Sequence, residues 1–155
     1  MVRRRVLEIP DASLIAAPGT YAIGLHIPVA TQCTIGALGE WTLPAGLYFY
    51  VGSAWGPGGL AARVRRHLRG GTVRRWHIDY VRAWAKPVVV WLAPYDHDEC
   101  AWAAYLLESK QARVIVPRCG ASDCRCAAHL LYCGDRFPEM IVLPDVESRI
   151  VVCVH

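Results

Sequence analysis

The residues of this chain with the most to offer chemically gather around one stretch. Tyr50 lies near the end of the β-rich run Leu47-Tyr48-Phe49-Tyr50-Val51, and Gly56-Pro57-Gly58-Gly59 then turns the chain. In the helical pattern that follows, Arg63 and His67 stand four apart and share one face. A strand end thus offers a phenol while the next helix offers a cation and an imidazole. Tyr21, on an earlier strand, supplies a second phenol. Two neighbouring phenols can share a proton or position a water, and one can act as general base if Arg63 and His67 lower its pKa. Strand tyrosines also commonly just pack in small sheets. An Arg facing a phosphodiester would stabilise the charge of in-line attack, and His67 could hold the attacking water or relay a proton. The same basic helix could equally serve only to grip a nucleic-acid backbone.

Glu99 and Glu108 are the acids suited to a hard divalent cation, which takes one or two carboxylates plus water and phosphate oxygens. Nine positions separate them, which places them on opposite helix faces, so both cannot reach one ion. Glu99 has a structural alternative as the acid of a capping box opened by Asp96. Glu108 stands near a helix C-terminus, where the dipole disfavours an acid. A loop site is also conceivable in Ser122-Asp123-Cys124-Arg125-Cys126-Ala127-Ala128-His129. Cys119, Cys124, Cys126 and His129 offer four soft ligands for Zn²⁺, although the spacing is not the usual Cys-x-x-Cys. Buried thiols and a turn at Ser122-Asp123 would explain the same residues.

The elements that must position these groups read as one α/β (α+β) domain spanning 1–155, a small sheet flanked by helices. Thr20 to Pro28 alternates as a strand, with Tyr21, Ile23, Leu25 and Ile27 on one side. Thr31 to Trp41 is a short strand or hairpin arm, and Ala45 to Gly52 pairs antiparallel with the first strand. A helix over Leu60 to Arg69, with Leu60, Val64 and Leu68 on one face, stops at Gly70-Gly71. A second helix is expected from Arg75 to Ala85, ending before Pro87, and then an inner strand over Val88 to Ala93. The capping box at Asp96 starts a helix running to about Ala112. Short strands follow at Val114 to Val116, Leu130 to Cys133, Glu139 to Leu143 and Ile150 to Val154.

Composition is that of a globular protein: 54% hydrophobic and only 19% charged residues give ample material for a core. The net charge of +4 is unevenly spread, because Arg63, Arg65, Arg66, Arg69, Arg74 and Arg75 fall within one short span. A guanidinium fork matches phosphate oxygens, and this cluster adjoins the Tyr50 turn, so it points to nucleic acid over a merely solvated face. Seven cysteines at irregular spacing do not resemble a secreted disulfide scaffold. With no apolar run of membrane length, a cytoplasmic protein with reduced thiols is expected.

Gly19-Thr20-Tyr21 and Tyr50-Val51-Gly52 resemble the two halves of the GIY-YIG nuclease signature. Arg63 sits where that family carries its Arg, and His67 where many members have Tyr or His. Tyr50-Val51-Gly52-Ser53-Ala54, Ala62 to His67, Trp76-His77-Ile78-Asp79-Tyr80, Glu99-Cys100, Gly120 to Cys126 and His129-Leu130 are together similar to one GIY-YIG-like branch. Some members of that branch are fused to endonuclease III-type repair enzymes. The resemblance covers about residues 19–132. It implies a three-stranded, mainly antiparallel sheet flanked by helices, here with extra C-terminal strands. It also implies hydrolysis of DNA phosphodiesters with one Mg²⁺ or Mn²⁺, in repair or recombination, with a repair protein as a further partner. Tyr50 would be the general base, Tyr21 its partner, Arg63 the transition-state cation and a helix Glu the metal ligand, with His77 facing the site. Arg65, Arg66, Arg69, Arg74 and Arg75 would contact the nucleic acid. Two departures stand out. Ser53 replaces a Lys of some repair members, and the Asn expected after Pro117 is absent, leaving Ser122 or Asp123 to substitute. The branch motif favours Glu99 as metal ligand, whereas counting back from Pro117 favours Glu108. A non-catalytic nucleic-acid-binding module on the same fold is the rival reading.

Overall fold

A strand with Tyr21, Ile23, Leu25 and Ile27 on one side and small or apolar residues on the other can be covered on both faces. The computed structural model, which describes residues 3–6, 16–137 and 150–153, buries it that way. The strands are β1 (Arg3–Val6), β2 (Gly19–Ile27), β3 (Thr31–Thr34), β4 (Glu40–Leu43), β5 (Gly46–Ala54), β6 (Lys86–Pro94), β7 (Leu130–Gly134) and β8 (Ile150–Cys153). The helices are α1 (Gly59–Arg69), α2 (His77–Val81) and α3 (Glu99–Glu108). One sheet runs β1-β8-β6-β2-β5-β7, and β3 and β4 form a separate hairpin. The antiparallel trio β6-β2-β5 is its centre. β7 and β8 extend it antiparallel, and β1 joins β8 in parallel.

Each face of the sheet carries its own core. Tyr21, Ile23, Leu25, Ile27 and Tyr50 pack with Leu60 and Val64 of α1 and Ile78 and Val81 of α2. Ala22, Phe49, Val51 and Trp91 pack on the opposite face with Trp102, Ala103 and Leu106 of α3. α1 ends where Gly70 adopts a positive φ of 63°, as Gly70-Gly71 suggests. Arg82 completes that terminus: its Nε and Nη2 donate to the carbonyls of His67 and Leu68 at 2.8 and 2.9 Å. These carbonyls would otherwise be orphaned by the end of the helix.

Four local expectations are corrected. The helix expected from Arg75 to Ala85 shrinks to His77–Val81. Its start is set by the Asp79 carboxylate, which accepts the backbone N–H groups of Arg75 and Trp76 at 2.7 and 2.8 Å. Its end is forced because Lys86 is already extended before Pro87 and paired with β2. Val114 to Val116 is not a strand. Only Arg113 bridges to Tyr132, and a turn then brings the Cys119 N–H back to the Val116 carbonyl. The capping box is absent: Asp96 Oδ1 accepts the Asp98 N–H at 2.8 Å, and the N-cap makes no side-chain bond. α3 closes at Glu108, short of Ala112. The Glu139 to Leu143 strand lies outside the described residues. Among the described residues no helix is long and apolar enough to cross a membrane.

The pairing of Tyr21 with Gly52 places the tyrosine ring over a backbone without a side chain. A Cβ at Gly52 would stand 2.4 Å from the Tyr21 hydroxyl, whereas one at Gly56 would meet nothing within 4 Å. Gly52→Ala is therefore expected to cost about 1–3 kcal/mol by overpacking, and Gly56→Ala within ~0.5 kcal/mol of zero. Equal denaturant midpoints for the two variants would show that the ring is free to move.

Candidate functional site

β2 begins and β5 ends at the same edge of the sheet because they are antiparallel. Around that edge lies a cavity of about 130 Å³ lined by Tyr21, Tyr50, Arg63, Trp76, His77 and Glu99, among others. Gly52, Ser53, Arg75, Ser122, Asp123, Cys124 and His129 complete most of its wall. Residues from two strands, three helices and the 117–129 loop thus converge. Not every expected residue is there. Glu108 is exposed at the far end of α3 and does not line the cleft, so of the two acids only Glu99 does. Arg65 and Arg69 are exposed outside the cleft wall, and Arg66 and Arg74 are engaged elsewhere.

His67 is corrected in its role. It is 1% exposed and lies behind Tyr21, outside the cleft wall, so it cannot hold a water in the cleft. Its Nε2 stands 2.8 Å from the Tyr21 hydroxyl. Its ring packs edge-on against Tyr50 and Trp76, with centroids 5.9 and 5.3 Å away. Burial, against the attraction of Asp79, lowers its pKa to about 4. A neutral imidazole has one acceptor nitrogen, and the Asp79 carboxylate opposite Nδ1 favours the tautomer that carries the proton on Nδ1, in which the Tyr21 O–H donates to Nε2. Nδ1 faces Asp79 Oδ1 at 3.9 Å, beyond hydrogen-bond reach.

The phenols are corrected too. Burial pushes both Tyr21 and Tyr50 above the ordinary tyrosine range, and the nearby Arg63 only partly opposes it. Desolvation of a phenolate outweighs one partly solvated guanidinium. His67 does not help, because a neutral ring adds no positive charge.

Asp79 and Trp76 organise the cationic side. Asp79 takes the two backbone N–H groups already described and Arg66, whose Nη2 approaches Oδ2 at 3.2 Å. Burial would raise its pKa, but these hydrogen bonds and the Arg66 charge hold it below the usual carboxylate value. The Trp76 indole lies under three guanidinium groups, with Arg63, Arg66 and Arg75 at 4.3, 4.0 and 4.8 Å from its ring centre. Such cation–π contacts fix the Arg63 head at the cleft. Arg74 instead donates to the carbonyls of Gly71 and Asp79 at 2.6 and 3.0 Å. Neither Asp79 nor Trp76 stood out as a site residue by type; their adjacency in Trp76-His77-Ile78-Asp79-Tyr80 was the available signal.

On the opposite wall, Glu99 is held from both sides. The Ser53 hydroxyl donates to Oε1 at 3.3 Å, and His129 Nδ1 lies 3.5 Å from Oε2. Gly120, with φ 76°, donates its N–H to His77 Nδ1 at 2.8 Å. A Cβ there would come within 2.8 Å of the Tyr50 ring. Behind this wall, Cys100, Cys124, Cys126 and His129 bring their ligand atoms within 4.8 Å of one another. Cys119, expected in this set, is fully buried in the Tyr21 core instead. Cys100, adjacent to Glu99 on α3, takes its place. Burial would lower the His129 pKa, but Glu99 and Cys126 outweigh it and raise it. Cys33, Cys100, Cys119, Cys124, Cys126 and Cys133 carry free thiols.

A family model described as a domain of unknown function, DUF123, matches residues 20–150. The chain belongs to this family. The matched span contains every residue of the cleft and of the thiol cluster. No curated protein and no solved structure matches the chain.

The buried imidazole sets an acid limit on stability. The unfolded chain protonates His67 near 6.5, while the folded chain resists until about pH 4. The unfolded state thus binds more protons between these values, and stability is lost as pH falls through this window, on the order of 3 kcal/mol in full. Asp79 adds its loss lower, below the ordinary value of 3.8. Melting curves from pH 7 to 4 should show a shallower decline for His67→Asn than for the wild type. Parallel declines would place the titration elsewhere.

Proposed function

We propose that this protein is a metal-dependent DNA endonuclease that hydrolyses phosphodiester bonds, acting in repair or recombination. The observation that carries the reading is the convergence of Tyr21, Tyr50, Arg63 and Glu99 on one small cleft. These are the positions at which the chain resembles GIY-YIG nucleases. Arg75 on the cleft wall, with the exposed Arg65 and Arg69 elsewhere on α1, offers positive charge to a phosphate backbone.

The donor set fits one hard cation. Glu99 presents a single carboxylate whose oxygens have only single, long contacts, and Mg²⁺ or Mn²⁺ keeps water and phosphate oxygens for its remaining positions. Bound there, the ion would supply positive charge for the scissile phosphate and its attacking water. Arg63, braced on Trp76, faces the charge that builds on the phosphoryl oxygens. Tyr50 accepts the proton of the attacking water, and the burial-raised pKa makes its phenolate scarce unless cationic charge occupies the cleft. Tyr21 is oriented through its hydrogen bond to His67, a positioning residue. His77, tied to the Gly120 N–H, lines the same cleft.

The test is cleavage of supercoiled, branched and damaged DNA with Mg²⁺ or Mn²⁺. Arg63→Ala should lower the rate ~10²–10³-fold and Tyr50→Phe ~10²–10⁴-fold. Glu99→Gln should abolish metal-dependent cutting, and Glu108→Gln should leave it intact. Wild-type cleavage should rise from neutral to alkaline pH, since the raised phenol must ionise. Salt-sensitive DNA binding without cutting of any substrate would replace the nuclease by the non-catalytic binding module.

A further inference from the structure

The four ligand atoms behind the cleft have a geometry of their own. His129 Nε2 lies 3.7 Å from Cys100 Sγ and 3.5 Å from Cys124 Sγ. Ideal tetrahedral zinc, with Zn–S about 2.3 Å and Zn–N about 2.0–2.1 Å, separates sulfur from nitrogen by about 3.6 Å and sulfur from sulfur by about 3.8 Å. All four ligand atoms lie within 4.8 Å of one another, so a contraction of at most about one ångström completes the set. The histidine is already aimed. Its Nδ1 lies 3.2 Å from the Val51 carbonyl, a donor contact that leaves the Nε2 lone pair facing the thiols. The Val51 N–H in turn donates to the His129 backbone carbonyl at 2.9 Å, so the residue is anchored to β5 through both its backbone and its ring. His129 is 1% exposed, whereas the three cysteines are half-buried and accessible to an incoming ion.

We propose that Cys100, Cys124, Cys126 and His129 form a structural zinc site, independent of whether the protein cuts DNA. Three thiolates and one imidazole are a soft donor set that selects zinc over the hard cations suited to Glu99. Four protein ligands close the coordination shell, so the ion holds structure and offers no open position for chemistry. On binding, the three thiol protons pass to solvent as the sulfurs become ligands. The ion ties the first turn of α3 to the 117–129 loop and to the start of β7. Glu99 and Gly120, which sit on the two tied segments, are then held at their places in the cleft.

The test uses the full chain purified under reducing conditions. Elemental analysis should find one zinc per chain. Cobalt in its place should give the intense visible bands of a tetrahedral site together with sulfur-to-metal charge transfer. Cys100→Ser should lose the metal, while Cys119→Ser should keep it. A readout on wild-type protein guards against a variant that fails to fold: alkylation followed by mass spectrometry should find Cys100, Cys124 and Cys126 protected until a strong chelator is added. Chelation should also lower the melting temperature. Metal-free protein whose three thiols alkylate at once, with no cobalt–sulfur band, would overturn the site. So would loss of zinc from Cys119→Ser with retention in Cys100→Ser.

Discussion

The hydrogen bond from Tyr21 to His67 joins the central strand to α1, and much else depends on it. It can form only because Gly52 leaves room for the tyrosine ring and because His67 is buried in its neutral form. With the ring held there, α1 docks with Arg63 turned towards the cleft and Leu60 and Val64 towards the core. The imidazole also fills the space between Tyr21, Tyr50 and Trp76. One polar contact inside an apolar layer thereby sets the relative placement of the groups that line the cleft.

Burial and positive charge act in opposition around this contact. Desolvation raises the two phenols and lowers the imidazole, so all three are neutral at physiological pH. The charged groups are kept at the rim. Arg63 rests on the Trp76 ring, and Asp79 balances Arg66 while organising the turn before α2. The cleft is thus lined by neutral phenols, with charge of both signs, Arg63 and Glu99, on its wall.

His129 links the cleft to the thiol cluster behind it. One nitrogen faces the Val51 carbonyl and Glu99, and the other faces Cys100 and Cys124. A change on the thiol side therefore reaches Glu99 through one rigid ring. Position along α3 explains the pairing: consecutive residues Glu99 and Cys100 at the first turn point to adjacent surroundings, the cleft and the cluster.

Periodicity and punctuation in the chain determined the strands β2, β5 and β6, the amphipathic helix α1 and its glycine stop, because these follow from local alternation and backbone freedom. Tyr21, Tyr50 and Arg63, singled out through the resemblance of their motifs, line one cleft. Tertiary structure alone decided the rest. The short α2 depends on an Asp79 carboxylate reaching back to two backbone donors, and the missing capping box depends on Asp96 using its oxygen elsewhere. The exchange of Cys119 for Cys100 is a matter of which thiols face one another across two segments far apart in sequence. The direction of the tyrosine shifts is a matter of depth. Residue type and spacing report which groups are available, but desolvation and the meeting of distant segments are properties of packing, and only the folded chain has them.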